Sequence, residues 1–80
     1  MMQATFVKIE EIDKFVNFVS RLKGKVYLKS GEIKVNAKSI IGAMYIVKEH
    51  PNNIVVEVED PKEKELVLDF LMQGAHLKRD

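Results

Sequence analysis

Few residues of this 80-residue chain have the types and spacing that chemistry requires. Cysteine is absent, so thiolate catalysis and a disulfide framework are both excluded. Ser39 has no histidine beside it to act as a base, and neither His50 nor His76 has a second ligand at metal-site spacing. The sequence therefore predicts a protein that is not an enzyme and that holds no metal or other cofactor.

An acidic cluster, Glu10, Glu11 and Asp13, is the other concentration of ionisable groups. It falls where helical spacing begins, and the helix dipole stabilises carboxylates at that end. We interpret the cluster as an ordinary helix start.

Charge and hydropathy limit the classes of partner. Thirteen Lys/Arg and twelve Asp/Glu residues are interspersed, and a net charge of +1 does not suit a nucleic-acid module that neutralises phosphates. No apolar run is long enough to span a membrane and no targeting signal stands out, so we expect a cytoplasmic protein. An apolar fraction of 46% in 80 residues predicts one domain, residues 1–80.

Hydrophobic periodicity divides the chain into seven short segments. Alternation predicts a first strand over residues 3–9, and steps of three and four predict a helix from about Ile12 that ends in a left-handed cap at Gly24. Two further alternating runs, 25–29 and 32–36, flank a turn at Ser30 and Gly31, which predicts an antiparallel hairpin.

The second half begins with a helix over residues 40–48, capped by Ser39, in which Ile41 and Met44 are predicted to face the core. Residues 54–59 alternate and predict a fourth strand. Asp60 as a cap, Pro61 in the first turn and Glu63 three residues after the cap predict the third helix. The predicted apolar face of that helix consists of Leu66, Val67, Phe70, Leu71 and Leu77.

The order βαββαβα predicts an α+β domain whose four-stranded antiparallel sheet has three helices on one face and water on the other. Periodicity alone fits both a ferredoxin-like plait and an open-faced β-sandwich.

The segment that enters the second predicted helix distinguishes these architectures. Residues 34–44 are KVNAKSIIGAM, which closely resembles the segment VNxKSIxGxM of the HPr phosphocarriers of the sugar phosphotransferase system. All seven segments follow in the HPr order, so the resemblance covers essentially the whole chain. It implies the HPr-like open-faced β-sandwich.

HPr proteins carry a phosphoryl group on a histidine at the start of their first helix, within a Gly-x-His-x-Arg-Pro-like loop. Residues 9–15 of this chain are IEEIDKF and contain no histidine, arginine or proline. The carboxylates there would also repel a phosphoryl group. The chain therefore resembles an HPr protein that lacks the active histidine.

At the second helix the resemblance persists. Ser39 matches the serine that a dedicated kinase phosphorylates in many HPr proteins, and the helix matches the patch through which HPr binds other proteins. The resemblance, together with expected exposure, implies partner-binding roles for Ile40, Met44 and Tyr45. After Met44 the family often continues with small residues and glycine, whereas Tyr45 follows here.

Two functional hypotheses remain at this point. The first is a non-catalytic regulatory or binding protein related to the sugar phosphotransferase system, whose partner is an HPr kinase, a phosphotransferase-system enzyme or a transcription regulator. Neither nucleic acid nor membrane is an expected partner. The second is a small ferredoxin-like module for ligand binding or oligomerisation, unrelated to phosphotransfer.

Overall fold

The structure, a computed structural model, describes residues 2–4, 9–51 and 53–73. Its elements in chain order are β1 (Met2–Ala4), α1 (Ile9–Val19), β2 (Val26–Ser30), β3 (Ile33–Asn36), α2 (Ile40–Glu49), β4 (Ile54–Val58) and α3 (Pro61–Gln73). The predicted α+β class is confirmed.

The strands form one antiparallel sheet in the order β1-β4-β2-β3. Leu28 lies opposite Val56 on one side and Val35 on the other, so these side chains share a face. Apolar side chains from all three helices complete the core on that face. The buried apolar residues are Ala4, Ile12, Phe15, Val16, Val19, Val26, Leu28, Ala37, Ala43, Ile46, Val47, Ile54, Val56, Val67 and Leu71.

The first predicted strand is corrected at its end. Ile9, which alternation placed in the strand, is the first residue of α1. It stands three residues before Ile12, so the same apolar residue satisfies both the strand period and the helix period. The rest of the predicted strand beyond Ala4, residues 5–8, lies outside the described residues.

The end of α1 also differs from the prediction. The helix ends at Val19, and the amides of Arg21 and Leu22 bond carbonyls three residues earlier, which tightens the last turn. Gly24 is not in the left-handed conformation, so the predicted cap is wrong. A Cβ at this position would lie 2.9 Å from Glu63 Oε1 and 3.1 Å from Asp60 Cβ, so a larger residue would displace the Glu63 carboxylate.

The predicted hairpin is confirmed, with its turn one residue later than expected. Ser30 pairs with Ile33, so the two-residue loop is Gly31 and Glu32. Gly31 has a φ of 59°, which glycine adopts without a Cβ penalty.

At the start of α3 the predicted cap is confirmed, but the predicted role of Glu63 in that cap is wrong. Asp60 Oδ1 accepts the Lys62 amide at 2.8 Å, and Pro61 is the first helical residue. Glu63 does not bond back to the cap. Its Oε2 accepts the Lys23 amide at 2.7 Å and its Oε1 accepts the Gly24 amide at 2.8 Å.

The apolar face of α3 needs one correction. Val67 and Leu71 are buried and Phe70 stacks on Phe18 with ring centroids 4.5 Å apart, but Leu66 is half exposed. Consecutive residues lie about 100° apart around a helix, so Leu66 stands off the stripe that carries Val67 and Leu71. Leu77 lies outside the described residues.

The bidentate contact of Glu63 predicts a measurable loss on substitution. Glu63→Gln keeps the shape of the side chain but replaces one of its two accepting oxygens with an NH2 group, which then faces a backbone amide hydrogen. We expect the free energy of unfolding to fall by about 1.5–3 kcal/mol, the range for hydrogen bonds to charged groups. Urea denaturation followed by circular dichroism measures it.

Glu65→Gln is the matched control for this prediction. Glu65 is exposed on the same helix, so its replacement is expected to change stability by less than about 0.5 kcal/mol. Equal midpoints for the two variants would show that the Glu63 contacts contribute nothing.

Candidate functional site

The turn between β3 and α2 is built by its own side chains. Asn36 Oδ1 accepts the Lys38 amide at 2.9 Å, and the Asn36 carbonyl accepts the Ser39 amide at 3.0 Å. Ala37 is fully buried and donates its amide to the Val26 carbonyl at 2.9 Å. An asparagine that bonds the backbone two residues on forms a compact turn, so the position of Ser39 is set before α2 begins.

Ser39 is the N-cap of α2, as predicted. Its backbone is extended, with φ −101° and ψ 117°, and its Oγ accepts the Gly42 amide at 3.4 Å. Its carbonyl accepts the Ala43 amide at 2.9 Å, the first backbone bond of the helix. The side chain is exposed, so the hydroxyl lies at the positive end of the helix dipole and within reach of solvent.

Gly42 lets α2 approach the sheet closely. A Cβ at this position would lie 3.3 Å from Val35 Cβ, tighter than an ordinary van der Waals contact. The glycine of the segment therefore has a packing role, alongside the turn made by Asn36 and the cap made by Ser39.

The outer surface of α2 is apolar. Ile41 is 80% exposed, Tyr45 is 52% exposed, and Ile40 and Met44 are each more than a third exposed. We call these four residues the α2 patch. The prediction that Ile41 and Met44 belong to the core is wrong, whereas the predicted exposure of Ile40 and Tyr45 is confirmed.

The buried side of α2 consists of Ala43, Ile46 and Val47. These residues have the same three- and four-residue spacing as the α2 patch, so periodicity alone could not decide which stripe faces the sheet. Lys48 is exposed and follows Met44 by four residues, so the α2 patch ends in a positive charge.

Lys38 has a contact that the sequence did not indicate. Its Nζ donates to the Leu22 carbonyl at 2.6 Å, across the gap between the end of α1 and the start of α2. Lys38 lies within residues 34–44, the segment that resembles HPr, but no neighbouring residue in the sequence indicates a partner sixteen positions earlier.

The start of α1 carries Glu10 and Glu11 in its first turn, as the sequence suggested. His50 lies at the other end of α2, eleven residues after Ser39 and about 16 Å away along the helix axis, and its amide bonds the Ile46 carbonyl at 2.8 Å. It is not beside the serine. His76 lies outside the described residues.

The sheet face away from the core has a small charged group. Glu57 Oε2 lies 3.5 Å from Lys29 Nζ and 3.9 Å from Lys34 Nζ, and Lys34 stands 4.1 Å from the Tyr27 ring centroid. Pairs this exposed contribute about 0–1 kcal/mol, so we interpret the group as surface stabilisation.

Two classes of site are not found within residues 2–4, 9–51 and 53–73. No three His, Asp or Glu side chains there are grouped so that they could hold a metal ion. Over the same ranges, no helix has the length and hydropathy needed to cross a membrane.

Comparison with known proteins gives one family. The model described as "PTS HPr component phosphorylation site" matches residues 10–72, most of the chain. The match spans α1 through nearly all of α3 and includes the turn, the serine cap and the α2 patch. No curated protein matches the chain significantly.

Proposed function

The chain belongs to the HPr family, and on that premise we propose that it is a non-catalytic binding protein of the sugar phosphotransferase system. It docks a partner protein through the α2 patch and does not carry phosphohistidine. In this proposal its fold is the HPr-like open-faced β-sandwich. The observation that carries the proposal is the exposure of Ile40, Ile41, Met44 and Tyr45 on two turns of one helix.

The α2 patch has the character of an interface centre. Large apolar side chains that remain contiguous on a surface cost free energy unless a partner covers them. Met and Tyr are enriched at protein interfaces, and Lys48 at the end of the patch adds a polar rim. The partner chemistry that fits is an apolar surface with a carboxylate at one edge.

The proposal that the chain carries no phosphohistidine is supported by the residues at the start of α1. Sequence positions 1–49 contain no histidine, and the first turn of α1 carries Glu10 and Glu11. Two carboxylates at that helix end would oppose the charge of a phosphoryl group. His50 caps the opposite end of α2 and lacks an arginine in its sequence neighbourhood.

Ser39 is the proposed regulatory site. It is exposed, it caps α2, and the amide ends of the helix favour a negative charge. A phosphoryl group there would lie beside Ile40 and change the charge at the edge of the α2 patch. The partners that fit are an HPr kinase, a phosphotransferase-system enzyme, or a transcription regulator that distinguishes the two charge states.

The test is incubation of the protein with an HPr kinase and ATP, read by intact mass. We expect one added phosphate in the wild type and none in Ser39→Ala. Ser20→Ala is the matched control, since Ser20 is also exposed but lies at the end of α1, and it is expected to be modified like the wild type.

A parallel incubation with the enzyme that phosphorylates HPr on histidine is expected to leave the mass unchanged. An acid-labile phosphate in that arm would overturn the claim that the protein carries no phosphohistidine. If neither enzyme binds or modifies the protein, the proposed role in the phosphotransferase system is wrong.

A further inference from the structure

One peptide group in the α1–β2 loop is held by opposite charges at its two ends. The Leu22 carbonyl accepts Lys38 Nζ at 2.6 Å. The amide of the same peptide group, on Lys23, donates to Glu63 Oε2 at 2.7 Å. Lys38 precedes the cap of α2 and Glu63 lies in the first turn of α3, so this peptide joins the starts of both helices to the end of α1.

The two hydrogen bonds strengthen each other. An ammonium on the carbonyl draws electron density toward oxygen and makes the amide hydrogen a better donor, while a carboxylate on the amide makes the oxygen a better acceptor. Both bonds involve an ion and have the short lengths of charge-assisted hydrogen bonds. Lys38 and Glu63 are therefore coupled through the peptide without contact between their side chains.

Glu63 has a second anchor, because its Oε1 accepts the Gly24 amide at 2.8 Å. Among the residues that the structure describes, Lys38 Nζ has a single hydrogen bond, the one to the Leu22 carbonyl. The carboxylate end of the chain of bonds is thus fixed at two points. The ammonium end depends on one contact and can be drawn away.

We infer that Lys38 is a switch contact. Through it, the charge state of Ser39 changes the strength of the hydrogen bonds that join the α1–β2 loop to α3. The inference rests on the proposed phosphorylation of Ser39. A phosphoryl group brings a charge of about −1.5 to −2 to the residue next to Lys38 and competes with the Leu22 carbonyl for its ammonium. When Lys38 leaves that carbonyl, the Lys23 amide becomes a weaker donor to Glu63 and the loop opens more often.

The first arm of the test needs no phosphorylation. Lys38→Met removes the ammonium and keeps an unbranched apolar stem. NMR-detected amide hydrogen exchange at Lys23 and Gly24 is expected to rise by about tenfold. Lys48→Met is the control, because Lys48 is exposed at the far end of α2, and it is expected to leave both rates unchanged.

The second arm uses protein made by total chemical synthesis with phosphoserine at position 39, so it does not depend on any kinase. Exchange at Lys23 and Gly24 is expected to rise to the level of Lys38→Met, and phosphoserine in the Lys38→Met background is expected to add nothing. Unchanged exchange in the synthetic phosphoprotein would overturn the inference. Failure of a kinase to modify the chain would instead count against the proposed function alone.

Discussion

Ile46→Ala is expected to lower the free energy of unfolding by about 2–5 kcal/mol, the usual range for truncating a buried isoleucine. Ile46 is fully buried against the sheet, and its loss leaves a cavity beneath α2. A domain of this size is stabilised by roughly 4–12 kcal/mol in total, so the variant would lose a large part of its stability. Urea denaturation followed by circular dichroism measures the change.

The matched control for Ile46→Ala is Ile41→Ala, the same substitution on the same helix. Ile41 is 80% exposed, and its truncation is expected to change stability by less than about 0.5 kcal/mol. This comparison tests the orientation of α2 directly. If Ile41→Ala were the more destabilising variant, the helix would present its other stripe to the sheet and the α2 patch would not exist.

The double variant Ile41→Ala/Met44→Ala is expected to weaken binding to an HPr kinase by about 30-fold or more. The reason is that loss of central apolar contacts in an interface typically costs at least about 2 kcal/mol. Isothermal titration calorimetry gives the dissociation constant. Since both side chains point away from the core, the urea midpoint is expected to stay close to that of the wild type.

Leu66→Ala/Met72→Ala is the matched control for the binding experiment. Both residues are about half exposed on α3 and the substitution removes a similar apolar area. We expect wild-type affinity for this variant. A similar loss in both double variants would mean that the kinase senses general surface hydrophobicity, and an unaffected α2 variant would place the docking surface elsewhere.

Local sequence signals determined where most elements begin. Ser39 caps α2, and Asp60 with Pro61 starts α3, because each of these residues acts on backbone groups within three positions of itself. Gly31 indicates the hairpin turn because glycine, which has no Cβ, adopts the positive φ that the turn requires. Such signals depend on neighbours along the chain, so they can be recognised without the fold.

The orientation of α2 was decided by tertiary structure. Apolar residues occur on both sides of this helix, so the stripe of Ala43, Ile46 and Val47 and the stripe of Ile41 and Met44 are equally plausible from spacing. In the fold the first stripe is buried, and the helix lies so close to the sheet that a Cβ at Gly42 would stand 3.3 Å from Val35 Cβ. Sequence could therefore indicate that α2 carries exposed apolar residues, such as Ile40 and Tyr45, but it placed Ile41 and Met44 wrongly in the core.

The contacts of the α1–β2 loop were likewise decided by the fold. Glu63 has the spacing of a capping box, but its carboxylate bonds the amides of Lys23 and Gly24, about forty residues away in sequence. Gly24 is a helix cap in the sequence prediction, whereas in the fold it is the residue that the Glu63 carboxylate approaches, at 2.9 Å from where a Cβ would lie. Sequence by itself determined the order of the elements, the family and the absence of histidine from positions 1–49. Only tertiary structure decided which side chains are in contact, because the sequence around a residue contains no signal that identifies a partner far away along the chain.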